Sequence, residues 1–228
     1  MYSLLELIQD VCHCIPHIVA ISESSVPAIL PDVHKQLLCK YSAVSAFHGY
    51  YRLLPFSGPF DLTLWNDDST WKYPLAGLLD EYLVIATTAL GVQFAYRLNG
   101  LRESDDSVYE INFEDFEIEK AYETFEKFAE KELVRNADVP YDDTVSDAFQ
   151  EFGELTMSEM LLYNPPLLFG GKECVKTLNK LDSIEGMRFM ADIKASFNQL
   201  ADSDPVVGVT TFLDSQSRLR WKINTSIS

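Results

Sequence analysis

Basic residues are scarce in this sequence, and their scarcity limits the partners that the protein can bind. The 228-residue chain has 18 lysines and arginines against 35 aspartates and glutamates, which gives a formal net charge of −17 at pH 7. A chain this acidic repels the phosphates of nucleic acids and anionic membranes, and it attracts basic molecules. We therefore expect a protein partner that is basic, and we expect neither nucleic acid nor a membrane.

Cysteine is also rare, with four residues, too few for the disulfide framework of a small secreted domain. We expect reduced thiols in a cytoplasmic protein. The group Cys12, His13, Cys14 and His17 lacks the second ligand pair that a structural zinc site needs. We expect these cysteines to pack against apolar side chains and expect no metal.

Patterns that mark targeting or catalysis are missing as well. Residues 1–20 are apolar but carry Glu6 and Asp10 and have no basic segment before them, which argues against a signal peptide. No uninterrupted apolar run is long enough to span a membrane. No nucleophile elbow, HExxH or GxGxxG occurs, and all four histidines lie in the first quarter of the chain. We therefore predict no catalytic residues and no cofactor.

The sequence does contain a clear strand pattern in its middle. Residues 82–87 and 92–98 are short runs rich in β-branched and aromatic residues, and residues 108–113 alternate between apolar and polar. Gly91 lies where the chain must reverse. This pattern predicts three consecutive antiparallel strands, followed by an amphipathic helix over 118–133.

The same reasoning predicts the other elements. They are helices over 4–15, 32–46, 144–152, 155–162 and 175–200, and strands over 50–55, 60–65 and 206–213.

Several segments in order resemble one known family. These are YYRLLPF, DLTLWND, YLVIATTALGVQFAY, VYEINFEDFEIEKAYETFEKFAEKEL, PPLLFGG and LDSIEGMRFMADIKASFNQL. Together they resemble the SUKH superfamily, in its bacterial immunity-type subgroup related to a fungal cell-wall regulator. The resemblance implies an α+β domain over 31–214, in which a mixed, mostly antiparallel sheet of about six strands is packed by helices. Residues 1–30 would then form a helical extension and residues 215–228 a tail.

The resemblance also bears on function. Many members look like immunity proteins that bind a toxin, often a nuclease, and block it, and no catalytic residues belong to the family pattern. Others look like intracellular regulatory modules. The chain is therefore interpreted as a non-catalytic immunity-type protein that neutralises a basic, nuclease-like toxin. The alternative is a regulatory scaffold without a toxin partner, and a toxin-like neighbouring gene would favour the first.

Acidic residues are concentrated in one segment. Residues 103–147 contain sixteen acidic and four basic residues, a net charge of −12. One interpretation is a solvated surface that aids solubility. The other is a docking surface, because a nuclease must be basic where it grips phosphate. Trp65 and Trp71 are either core residues or apolar anchors for a partner. On the second interpretation we predict that these two tryptophans and six carboxylates bind the partner. The carboxylates are Asp105, Asp106, Glu114, Asp115, Glu117 and Glu119.

Overall fold

The computed structural model describes residues 3–98, 104–114, 117–136, 143–200 and 205–225. Its main feature is a seven-stranded sheet in which each strand pairs with the next one along the chain, always antiparallel. The strands are β1 (His13–Pro16), β2 (Tyr41–Ala46), β3 (Tyr51–Leu53), β4 (Tyr82–Thr88), β5 (Gln93–Leu98), β6 (Ser104–Ile111) and β7 (Ile118–Tyr122). The predicted α+β class is confirmed, with one strand more than expected and with antiparallel pairing throughout this sheet.

Two hairpins, six α-helices, two π-helices and four short 3₁₀ helices complete the described part of the fold. The hairpins are β8 (Glu159–Tyr163) with β9 (Leu178–Asp182), and β10 (Val206–Leu213) with β11 (Leu219–Thr225). The helices are α1 (Leu4–Val11), α2 (Asp32–Lys40), α3 (Leu62–Asn66), α4 (Phe125–Phe128, continued by a π-helix over Ala129–Arg135), α5 (Asp143–Phe152) and α6 (Ser183–Phe197). A second π-helix covers Asp68–Lys72. No helix in the described stretches is both long and apolar enough to cross a bilayer.

Part of the segment predicted as an N-terminal helical extension joins the main sheet, since His13–Pro16 form its first strand. Ser3 caps α1 by accepting a hydrogen bond from the backbone nitrogen of Glu6, and Glu6 bonds back to the nitrogen of Ser3. Ile8 of α1 is fully buried in the core. The chain then forms β1, which pairs with β2, so the helix predicted over 4–15 ends at Val11.

Other elements differ in type from their predictions, because helix capping or pairing with a neighbouring strand outweighs the local sequence pattern. The strand predicted over 60–65 is helix α3, since the Asp61 carboxylate accepts a hydrogen bond from the Leu64 nitrogen and caps it. The helix predicted over 118–133 begins only at Phe125, after a Thr124 cap, because residues 118–122 pair with β6. Helices predicted over 32–46, 155–162 and 175–200 are likewise interrupted or replaced by β2, β8 and β9.

One continuous core joins the sheet to the helices. Arg52 is buried within it and donates from its guanidinium to the carbonyl oxygens of Thr88, Thr156 and Glu159. This ties the segment before β8 to the main sheet. Burial lowers the pKa of Arg52 to about 10, yet the group stays charged at neutral pH.

Within the segment predicted as a C-terminal tail, Leu219–Thr225 form strand β11, which is held against α6. The buried carboxylate of Asp192 accepts a hydrogen bond from the Arg220 Nε at 2.7 Å and one from the Trp221 backbone nitrogen at 2.9 Å. Asp182 caps the start of α6 through the nitrogens of Ile184 and Glu185. The strand predicted over 206–213 is confirmed as β10.

Candidate functional site

The described acidic residues that were predicted to bind a partner are all exposed, but they do not form a single cluster. Glu114, Glu117 and Glu119 lie together where β6 ends and β7 begins. Asp106 lies near the start of β6, four residues before Glu110, with a left-handed backbone (φ 58°). Asp106 is therefore separated from Glu110 by roughly 13 Å of strand, and the other three lie level with Glu110 or beyond it.

Two further predicted residues receive no structural account. Asp115 lies outside the described residues. Asp105 belongs to β6, but its side chain lies outside the described part of the chain.

Trp65 and Trp71 are core residues, so their prediction as partner anchors is wrong. Their side chains are 1% and 0% exposed. The Trp65 Nε1 donates to the Gln93 Oε1 at 2.9 Å, and the Trp71 ring lies 5.9 Å from the ring of Phe113. The short helix α3 and the following π-helix place both rings inward against the sheet. Neither ring therefore has exposed surface that a partner could contact.

The central feature of the site is a pair of glutamates that face each other across two strands. Glu110 of β6 is the register partner of Glu119 of β7. Side chains opposite each other in an antiparallel pair lie on the same face, and like charges in that arrangement repel. Glu117 lies two residues before Glu119 and therefore points to the same face. We call Glu110, Glu114, Glu117 and Glu119 the acidic face.

A pocket of about 220 Å³ adjoins the acidic face. Glu110, Asn112 and Glu114 line it from β6 and the residues just after it. Aromatic and polar side chains from other elements complete its wall. They are Tyr50, Tyr51, Thr88, Phe94, Tyr122, Lys131, Glu132, Asn136, Tyr163 and Glu173.

Helix α4 and its π-helical continuation supply the second acidic wall of this pocket. Glu132 is only 5% exposed, and its carboxylate accepts hydrogen bonds from the Tyr122 hydroxyl and from the Asn136 Nδ2 at 3.0 Å. Lys131 is exposed, and its Nζ lies 5.6 Å from the centre of the Tyr122 ring. A cation is thus already accommodated over this ring, which is the contact that a basic side chain of a partner would make.

The other basic residues of the acidic segment are engaged in ion pairs. Lys120 lies 2.6 Å from Glu123, while Arg135 and Lys127 lie 2.6 Å and 3.4 Å from Glu130. The hydrogen bond from Arg135, followed by the one from Lys127, lowers the pKa of Glu130. These three basic side chains therefore each have a nearby glutamate as a partner.

The sequence prediction missed Glu110, Tyr122 and Glu132. The alternation in 108–113 already places Glu110 and Asn112 on one side of a strand, so Glu110 was accessible to sequence reasoning. Tyr122 and Glu132 were not, because residues 118–122 were assigned to a helix and their pairing with β6 depends on tertiary structure.

The cysteine and histidine group near the N-terminus is dispersed among separate partners. The Cys12 and Cys14 thiols donate to the carbonyl oxygens of Leu133 and Ile8, His13 bonds Glu154, and His17 contacts the carbonyl oxygen of Leu38. Among the described residues no three histidine, cysteine or carboxylate side chains are grouped closely enough to hold a metal ion.

Comparison with known proteins gives a fold relationship alone. No family model matches the chain, and no curated protein matches it. The crystal structure of Atu4351 from Agrobacterium tumefaciens is similar, with a TM-score of 0.52 and 12% sequence identity over 94% of this chain and 95% of that chain. At that identity the likeness concerns the overall fold and carries no activity.

Proposed function

We propose that this protein is a cytoplasmic, non-catalytic module of the SUKH immunity type that binds and neutralises a basic, nuclease-like toxin. The observation that carries the proposal is the facing pair of Glu110 and Glu119, with Glu117 on the same face and Glu114 beside them at the pocket. Two carboxylates held opposite each other weaken strand pairing in the free protein. Carboxylates gathered on one face attract positive charge, so the arrangement favours a cationic partner.

The pocket supports the same proposal by offering a place for one basic side chain. Its wall combines carboxylates with aromatic rings, a pairing that suits the charge and the planar group of arginine. Arginine is also a residue that nucleases use to bind phosphate, so a guanidinium held here is withdrawn from its substrate. Long-range attraction by the −17 chain would speed the encounter.

Co-expression with the product of the adjacent gene tests the proposal. If that product is toxic, the wild-type chain should restore growth. A variant that carries Glu114→Lys, Glu117→Lys and Glu119→Lys should fail to do so.

A second triple variant controls for total charge. Asp10, Glu23 and Glu151 are exposed and lie on other elements, so Asp10→Lys, Glu23→Lys and Glu151→Lys leave the acidic face intact. Each substitution changes the charge by two, so both triple variants carry −11 instead of −17. Equal rescue by the two variants would contradict the proposal. A harmless neighbour, together with capture of several unrelated basic proteins by the same face, would favour the scaffold alternative.

A further inference from the structure

The C-terminal hairpin has one edge that is covered and one that is open. Along β11, the outward backbone nitrogen of Trp221 donates to the Asp192 carboxylate of α6. Among the residues that the structure describes, this sheet contains only β10 and β11, so no strand pairs with the other edge of β10. An open strand edge presents backbone donors and acceptors to another chain.

The hydrogen-bond pattern shows which residues of β10 present those groups. The backbone nitrogen of Asp214 donates to the Arg218 carbonyl, so these two residues form a hydrogen-bonded pair. Such pairs alternate along an antiparallel ladder with pairs whose backbone groups point outward. Thr211 and Trp221 then form an outward pair, in agreement with the bond from Trp221 to Asp192. By the same alternation Val209, Thr211 and Leu213 direct their N–H and C=O groups to the open edge.

This edge is also unusual in its side chains. None of the eight residues of β10 is charged, in a chain whose net charge is −17. Val207 and Leu213 are 63% and 66% exposed. Natural edge strands generally carry a lysine, a proline, an inward charge or a bulge that prevents pairing. β10 carries none of the first three, and its one register irregularity, between Val206 and Gly208, comes before the outward residues.

We propose that a second copy of this chain pairs with β10 in antiparallel fashion about a two-fold axis at Thr211. Val209 of each copy then lies opposite Leu213 of the other, and the two Thr211 residues face each other. Three outward pairs on matching edges form about six backbone hydrogen bonds. The two hairpins become one four-stranded sheet. This proposal is independent of the proposed function.

The uncharged, self-complementary edge of β10 favours a second copy as the occupant, because Val209 meets Leu213 and no charged side chain of β10 lies at the contact. Two copies that each carry a net charge of −17 repel each other wherever their carboxylates come close. A contact through β10 places no charged side chain of that strand opposite another. The nearby cations of Arg218 and Arg220 are paired with Asp214 and Asp192. The two exposed Lys222 side chains would be three strand spacings apart, about 14 Å, which exceeds the screening length of about 8 Å at physiological salt.

Sedimentation measurements on the full chain, from about 1 to 500 μM, test the proposal. A short strand pair is a small interface, so we expect a dissociation constant on the order of 10–100 μM. Raising the salt from about 50 to 500 mM should tighten the association, because salt screens the repulsion between acidic chains. Binding of a cationic partner to the acidic face should respond to salt in the opposite direction.

Three substitutions at Thr211 locate the contact. Thr211→Pro removes a nitrogen–hydrogen group that does not bond β11, so the hairpin should persist while the dimer dissociation constant rises at least about tenfold. Thr211→Lys keeps that group but places two cations at the axis, and should also weaken the dimer. Thr211→Val keeps the group without adding charge, and should associate at least as well as wild type.

Thermal unfolding of each variant separates loss of the dimer from loss of the fold. A wild-type chain that stays monomeric at every concentration and salt would overturn the proposal and would leave the edge open to a strand of another protein. Dimers that survive both Thr211→Pro and Thr211→Lys would overturn it as well.

Discussion

Replacing Glu119 by lysine should stabilise the folded protein while it weakens the proposed binding face. Glu119 lies opposite Glu110 across β6 and β7, so the substitution turns a facing pair of like charges into a pair of opposite charges. Residues selected for binding often cost stability, and this pair offers a direct test of such a cost.

The size of the effect follows from Coulomb's law with water as the medium, because Glu119 is exposed. Two unit charges about 6 Å apart interact by about 0.7 kcal/mol in water. Physiological salt, with a screening length of about 8 Å, reduces this to about 0.3 kcal/mol. Since repulsion becomes attraction, the total gain is about 0.6 kcal/mol, which raises the Tm of a chain of this size by about 1–3 °C.

Thermal unfolding of four proteins at two salt concentrations checks this estimate. Glu119→Gln removes the repulsion only and should show about half the gain of Glu119→Lys. Glu23→Lys, at an exposed position outside the main sheet, controls for the general relief of negative charge. At about 10 mM salt the gain of Glu119→Lys should nearly double. The reasoning fails if Glu119→Lys is no more stable than Glu23→Lys, or if its gain in stability does not change with salt concentration. Either result would mean that Glu110 and Glu119 do not repel each other.

Two further predictions concern buried basic side chains, Arg52 and His34. Arg52→Met should lower the free energy of unfolding by about 3 kcal/mol, because the carbonyl oxygens of Thr88, Thr156 and Glu159 lose their buried donor. Calorimetry should then show a Tm lower by about 6–12 °C, and an unchanged Tm would refute this. Burial lowers the pKa of His34 to about 3. As the pH drops from about 6.5 toward 3, His34 takes up a proton in the unfolded chain but not in the folded one, so stability falls. Between about pH 6.5 and 5 this loss is about 1.6 kcal/mol in denaturant titrations, and His34→Gln should show a correspondingly flatter pH dependence.

The strands at the centre of the sheet were predictable because each carries its own pattern. Residues 82–88 and 93–98 are β-prone runs bounded by a glycine turn, and β6 alternates as a half-buried strand should. Strand β10 was predictable for the same reason. Such local patterns need no information about neighbours.

The elements that were missed depend on neighbours. Residues 118–122 have apolar positions that fit a helix as well as a strand, and only the open edge of β6 decides in favour of β7. Residues 13–16 form β1 because β2 offers an edge, although their sequence continues the pattern of α1. Element boundaries of this kind are set by tertiary pairing, which a single sequence does not display.

The candidate site follows the same division. Glu114, Glu117 and Glu119 were predictable from the local excess of acidic residues. Their opposition to Glu110 was not, because strand register is a property of two segments together. Trp65 was misassigned as an anchor because a tryptophan suits a core and an interface equally well in sequence.

The central claim is that the acidic face, rather than total negative charge, selects a basic protein partner. The direct test is to measure how much of each basic protein is captured from a lysate of the native host by three proteins. These are the wild-type chain, the acidic-face variant Glu114→Lys/Glu117→Lys/Glu119→Lys and the control variant Asp10→Lys/Glu23→Lys/Glu151→Lys. The account predicts one basic protein that is retained by the wild type and the control, is lost from the acidic-face variant, and elutes as salt rises. Retention of the same protein by all three chains, or of no basic protein by the wild type, would contradict it.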